Sequence, residues 1–205
     1  MPMQSESGAR IVDAALNLAA QRGWRGTSLA DIAEAVDMEP AELYRVAPSK
    51  ASILAAFAAR IDEVMLADPD LELADEPVRD RLFALLMRRF DTMQPYREAV
   101  RALAAPGAVD PIELACGALY LARSMTWALD AAGVGPRGPF GCLRVKGLGA
   151  IYLLTLKTWL GDDSDDMGKT MASLDRHLGR ADGLIAVLCR RRAPMAGSES
   201  AAPAG

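Results

Sequence analysis

The sequence predicts an all-α protein in two parts: a three-helix, helix-turn-helix module at the N-terminus and a larger helical bundle behind it. Three observations carry this. Apolar residues recur at helical spacing along the chain, and no strand-like alternation persists. Residues 27–50 contain two short helix starts separated by a break. The last helical stretch holds an unbroken four-three apolar repeat, Met167, Met171, Leu174, Leu178, Ala181, Ile185 and Leu188, the pattern of a narrow helix-on-helix seam. At 205 residues the chain suffices for one small and one large helical domain. The module is expected over 1–66, the bundle over 67–192 and a disordered tail rich in Ala, Gly, Pro and Ser over 193–205.

Each element has its own signal. Ile11, Ala14, Ala15 and Leu18 share a face of the first helix. Ser28, followed three residues later by Asp31, is a capping-box-like start for a short second helix. Asp37 to Pro40 breaks that helix, and Pro40 suits the first position of a third. Two short helices with a tight turn between them read as a helix-turn-helix, whose second helix normally enters the major groove. Ser49 can cap a fourth helix with Ile53, Phe57, Ile61 and Val64 on one side. The acidic, Pro-bounded residues 67–77 read as the domain boundary. Val78–Met93 is amphipathic through Leu82, Phe83, Leu86 and Phe90, and Pro95 starts a further helix that ends near Pro106-Gly107.

Pro111–Ala132 and Phe140–Leu160 carry almost no charge. A helix apolar on nearly all sides is expected to be buried, so these two imply a bundle core, a dimer seam, or both. Ser164 is the expected cap of the last helix, with Asp165 and Asp166 in its first turn.

Composition narrows the function. The chain is 51% hydrophobic with a formal net charge of −4, which gives no general attraction to nucleic acid. Cys116, Cys142 and Cys189 stand apart in apolar contexts and read as small buried hydrophobes in a reducing compartment. His177 is the only histidine and reads as solvated or structural. No phosphate loop, nucleophile elbow or metal-ligand spacing occurs, so neither catalysis, a metal nor a cofactor is expected. Met1–Gly8 lacks a signal-peptide core, and the charge-free run Gly147–Leu156 is too short to span a bilayer. The expectation is a soluble cytoplasmic protein, with Gly183–Arg192 the candidate for peripheral membrane contact.

Residues 9–57 resemble the TetR family of bacterial regulators. Gly23-Trp24, Thr27-Ser28-Leu29, Asp31-Ile32-Ala33, Leu43-Tyr44-Arg45, Pro48-Ser49-Lys50 and Ile53-Leu54 carry the likeness. The resemblance makes Thr27, Tyr44, Arg45 and Lys50 the candidate DNA contacts. The departures fall on the reading side. Val36-Asp37-Met38-Glu39 stands where the family has Ala-Gly-Val-Ser, and Val46-Ala47 where it has His-Phe. Residues 27–50 hold five acids (Asp31, Glu34, Asp37, Glu39, Glu42) against Arg45 and Lys50, which predicts weak, nonspecific DNA binding.

Residues 79–182 resemble a second family, the ubiquinone biosynthesis accessory proteins whose eukaryotic member is the ninth Coq protein. Asp80-Arg81-Leu82-Phe83, Met87-Arg88-Arg89-Phe90-Asp91, Pro95-Tyr96-Arg97, Trp127, Ile151-Tyr152 and Asp162–Asp166 carry that likeness. It implies a dimer with a TetR-like fold that binds an isoprenoid or quinone-like apolar ligand and assists a ubiquinone-biosynthesis enzyme without reading DNA. The alternative is a TetR-type repressor released by a hydrophobic ligand.

Candidate pocket residues are Tyr120, Leu121, Met125, Trp127, Leu148 and Tyr152; core filling is the alternative for each. Candidate dimer residues are Met171, Leu174, Leu178 and Ile185, together with the apolar helix Phe140–Leu160. Arg88, Arg89 and Arg97 are read as a partner-docking patch or a solvated face.

Overall fold

The computed structural model describes residues 6–67, 75–135 and 140–192, with side chains through residue 181. Its described residues form nine α-helices and no strand. The acidic boundary over 68–74, the tail 193–205 and the Ile185 side chain lie outside what is described.

α1 (Glu6–Arg22) buries Ile11, Val12, Ala15, Leu16 and Ala19 along one stripe. α2 (Leu29–Ala35) starts at a full capping box. Ser28 Oγ accepts from the Asp31 amide at 3.1 Å, and the Ser28 amide donates to Asp31 Oδ2 at 2.7 Å. The turn after α2 places Asp37 at φ +53°, a left-handed conformation that only Gly, Asn and Asp adopt with ease. Asp37 therefore makes the tight turn, in which the Asp37 and Met38 amides close back on Glu34 and Ala33. α3 (Pro40–Val46) has Pro at its start and no side-chain cap from Glu39.

α4 (Lys50–Leu66) is capped by a Ser49–Ser52 box. Its buried face is Ile53, Phe57, Ile61 and Met65. Val64, expected on that face, is exposed, because steps of four residues carry the stripe to Met65 instead. α5 (Val78–Met93) runs into a 3₁₀ turn (Gln94–Tyr96) rather than a helix begun at Pro95, and α6 (Arg97–Ala104) follows. α7 (Pro111–Ala131), α8 (Gly141–Leu160) and α9 (Gly168–Arg192) complete the bundle.

α4 is the hinge of the packing, since it lies against α1 on one side and α5 and α7 on the other. α8 packs between α7 and α9, and α9 also lies on α5. The bundle core centres on Phe90, stacked on Tyr152 with ring centroids 5.3 Å apart, and on Trp159 beside it.

The final helix corrects one expectation. Leu174 is 0% exposed, Leu178 is buried and Met171 is half-buried. A four-three seam needs one helical neighbour, and α8 and α5 of the same chain provide it. Asp175 of α9 pairs with Arg79 of α5. The exposed apolar surface is elsewhere. Ile112 and Leu119 of α7 and Leu143, Leu153 and Leu154 of α8 are exposed, so these two helices are only half-buried in one chain.

α9 is capped from a distance. Asp162 Oδ2 accepts from the Thr170 amide at 2.8 Å and from Thr170 Oγ1 at 2.7 Å, while its Oδ1 accepts from Ser164 Oγ at 2.5 Å. Burial alone would raise its pKa. The hydrogen bonds from Ser164 and Thr170 outweigh burial and hold the carboxyl well below the usual range. The folded pKa is therefore depressed. Its stabilisation is present above the unfolded value of about 3.9 and is lost as the pH falls through and below it. Asp162→Asn is expected to cost about 2 kcal/mol in urea denaturation near neutral pH. The gap to wild type should narrow at about pH 3, and a constant gap would contradict the assignment.

Candidate functional site

Two surfaces bear on function, and they touch. The first is the helix-turn-helix. Tyr44 is 67% exposed and Arg45 is exposed beside it on α3, so both are available to a duplex. The other two candidate contacts are withdrawn. Thr27 is buried, and its hydroxyl donates to the Gly23 carbonyl at 3.0 Å, closing the loop before α2. Lys50 is half-buried; its ammonium donates to the Trp24 carbonyl at 2.7 Å and sits 4.5 Å from the centre of the Trp24 ring. Local hydrogen bonding and the indole face hold both inward.

The acids divide as well. Asp31 is spent on the α2 cap and on Arg22, 2.8 Å away. The hydrogen bonds from Ser28 lower its pKa, and Arg22 adds to the effect. Glu34, Asp37, Glu39 and Glu42 stay exposed around the reading helix.

The second surface is a cavity of about 230 Å³ between α4, α5, α7 and α8. α4 contributes Ala51, Leu54 and Ala58, and α5 contributes Arg89. α7 supplies Glu113, Cys116, Gly117, Tyr120 and Leu121, and α8 supplies Tyr152 and Leu153. Of the candidate pocket residues, the structure places Tyr120, Leu121 and Tyr152 on the wall of this cavity. Met125 and Leu148 are buried but do not line the cavity. Trp127 is 51% exposed and does not line it either, because its position falls on the outer side of α7. Cys116 is half-buried on the cavity wall and Cys142 is exposed, which corrects the expectation of buried thiols for both.

The polar groups of the cavity were not legible as a site in sequence. Arg89 is 5% exposed. It ion-pairs with Asp62, donates to Ser124 Oγ at 2.8 Å and lies 5.1 Å from the Tyr152 ring. Ser124 in turn donates to Asp62 Oδ1 at 2.6 Å. Burial opposes the charge on Arg89, yet Tyr152 and Asp62 outweigh burial and raise its pKa further. Arg89 is therefore no docking patch. Nor is Arg97, which lies 5.0 Å from the Trp159 ring and donates to Gln94 and to the Asp162 carbonyl.

Glu113 joins the two surfaces. It is 8% exposed; its Oε1 accepts from Trp24 Nε1 at 3.2 Å and its Oε2 from the Asp110 amide at 2.9 Å, completing the α7 cap. The S/D-x-x-E pattern at Asp110–Glu113 was the available signal, and it announced only a cap. Among the described residues no cluster of His, Cys, Asp and Glu could hold a metal ion, and no helix is long and apolar enough to cross a membrane.

Comparison with known proteins bears on the fold. Residues 11–57 match the model of bacterial regulatory proteins, tetR family. No curated protein sequence matches the chain. Among solved structures, a TetR transcriptional regulator from Nitrosomonas europaea is 25% identical with a TM-score of 0.70, over 85% of this chain and 97% of that one. A TetR transcriptional regulator from Rhodococcus sp. RHA1 is 16% identical with a TM-score of 0.60, over 85% and 94%. FadR of Thermus thermophilus, a TetR-family repressor solved with lauroyl-CoA, is 20% identical with a TM-score of 0.51, over 96% and 99%. Residues 11–57 thus match the tetR-family domain, and the chain as a whole is similar in fold to TetR regulators.

Proposed function

We propose that this protein is a dimeric, ligand-responsive DNA-binding regulator whose effector site is the cavity between α4, α5, α7 and α8. The observation that carries the reading is Glu113, which lines the cavity and at the same time accepts the Trp24 indole of the helix-turn-helix domain. An occupant of the cavity is then one hydrogen bond from the DNA-reading module. The lauroyl-CoA bound by the Thermus repressor supports an apolar effector in a fold of this kind. The exposed stripe Leu143, Gly147, Ala150 and Leu154 on α8 is the proposed dimer face. It repeats at four-three spacing with small residues at its centre, which suits close packing against its own copy.

The test is a titration against DNA upstream of the protein's own gene at physiological salt. The expected result is saturable, sequence-specific binding that Arg45→Ala weakens by about 1–3 kcal/mol. Purely nonspecific binding would reject the regulator reading.

A second reading is favoured by one observation, the four exposed acids around α3. It makes the protein a lipid carrier that assists ubiquinone biosynthesis and no longer reads DNA. Under it, solvent extracts of the purified protein contain an isoprenoid or quinone-like lipid, and DNA titrations show only weak, salt-sensitive association.

A further inference from the structure

The charges around the cavity do not balance. Arg89 is compensated by Asp62, with which it is ion-paired. Glu113 has no ion-pair partner among the described residues, and its two donors, the Trp24 indole and the Asp110 amide, are both neutral. The nearby ammonium of Lys50 is held at Trp24 instead, on the carbonyl and over the ring. The remaining wall is largely apolar, with Ala51, Leu54, Ala58, Leu121 and Leu153. A buried carboxylate without a cation is costly, and a cationic guest removes that cost. A carboxylate accepts about four hydrogen bonds and Glu113 uses two, so acceptor capacity remains.

Size sets the other limit. The pocket is open where Gly117 and Leu153 are exposed, so its 230 Å³ is the part of a guest it encloses, roughly ten non-hydrogen atoms by scaling from an enclosed cavity of about 150 Å³ that takes benzene. The enclosed volume is below the ordinary range for drug-sized ligands, about 300–1,000 Å³.

We propose that the cavity takes a small apolar amine, bound as its ammonium, with Glu113 as counter-ion. The proposal rests on the cavity being the effector site and names the ligand class for it. It separates this chain from a fold relative whose ligand is an acyl-CoA. It also places ligand recognition on the residue that holds Trp24, so that the arriving N–H⁺ joins the indole as a second donor on Glu113 and perturbs that hydrogen bond.

The experiment uses three probes on one apolar cage: adamantan-1-amine, adamantan-1-ol and the somewhat longer adamantane-1-carboxylate. Each is titrated calorimetrically into the full-length wild type, Glu113→Gln and Gly117→Leu. Gln keeps one acceptor oxygen for the Asp110 amide, so the α7 cap and the fold are retained, while the charge and the second acceptor oxygen are removed. A Cβ at Gly117 meets no atom within 4 Å, so the Leu side chain can enter the cavity without strain.

The expected result is an ammonium affinity at least about tenfold above both other probes in the wild type, with that preference abolished by Glu113→Gln. All binding should be lost in Gly117→Leu. The Trp24 indole proton resonance, assigned with Trp24→Phe, should move on ammonium binding and stay in place in Glu113→Gln. Equal or tighter binding of the alcohol or the carboxylate overturns the proposal and leaves the effector cavity standing. Ammonium binding that survives Glu113→Gln or Gly117→Leu unchanged overturns it as well. Failure of all three probes to bind rejects the cavity reading together with the proposal.

Discussion

Replacing Asp62 by Ala is expected to destabilise the protein by about 3–5 kcal/mol, since it strands a buried charge without a partner. Arg89 cannot relieve the strain by losing its proton, because guanidinium groups stay charged in proteins. Ser124 loses its acceptor in the same step, as its hydroxyl donates to Asp62. The effect is read from the midpoint of urea unfolding at unchanged slope. The double variant Asp62→Ala with Arg89→Met should recover most of the loss, because an apolar side chain of similar length suits the space between Tyr152, Ser124 and α4. A single variant within about 1 kcal/mol of wild type would show that Arg89 is solvated and that the pair does not organise the cavity floor.

Two arginine substitutions separate the dimer face from the core. Leu154→Arg is expected to give a folded monomer: Leu154 is exposed in the chain, so the charge meets water until a second copy approaches. Leu174→Arg is expected to abolish folding, because Leu174 is 0% exposed between α9 and its neighbours and the charge would be buried unpaired, at several kcal/mol or about the whole stability of a domain. Light scattering gives the mass and circular dichroism the fold. A dimeric Leu154→Arg variant would reject the α8 face. A folded monomer from Leu174→Arg would restore the α9 seam as the interface.

Much of the fold was legible because its signals are local. Ser28 and Asp31 cap α2, Pro40 opens α3 and Ser49 caps α4 through hydrogen bonds that span three residues. Such signals act within a few residues wherever the segment ends up. The same reasoning failed where a residue's neighbour comes from elsewhere in the chain. Arg89 looked like surface because arginine is mostly exposed, yet its partners Asp62 and Ser124 lie 27 and 35 residues away in the chain. Thr27 and Lys50 were candidate DNA contacts through the family resemblance, and hydrogen bonds to Gly23 and Trp24 hold them inward.

By itself the sequence determined that the chain is helical, where most helices begin, and that a helix-turn-helix opens it, since periodicity and capping depend on residues close in the chain. The tertiary structure decided which apolar face stays free. The α9 repeat and the α8 stripe have the same spacing, and only the packing of α5 and α8 on α9 chose between them. It also decided that Glu113, readable only as a cap, would serve Trp24 across 89 residues and line the cavity. Charge balance in a buried site depends on which distant groups the fold brings together, and no local pattern encodes it.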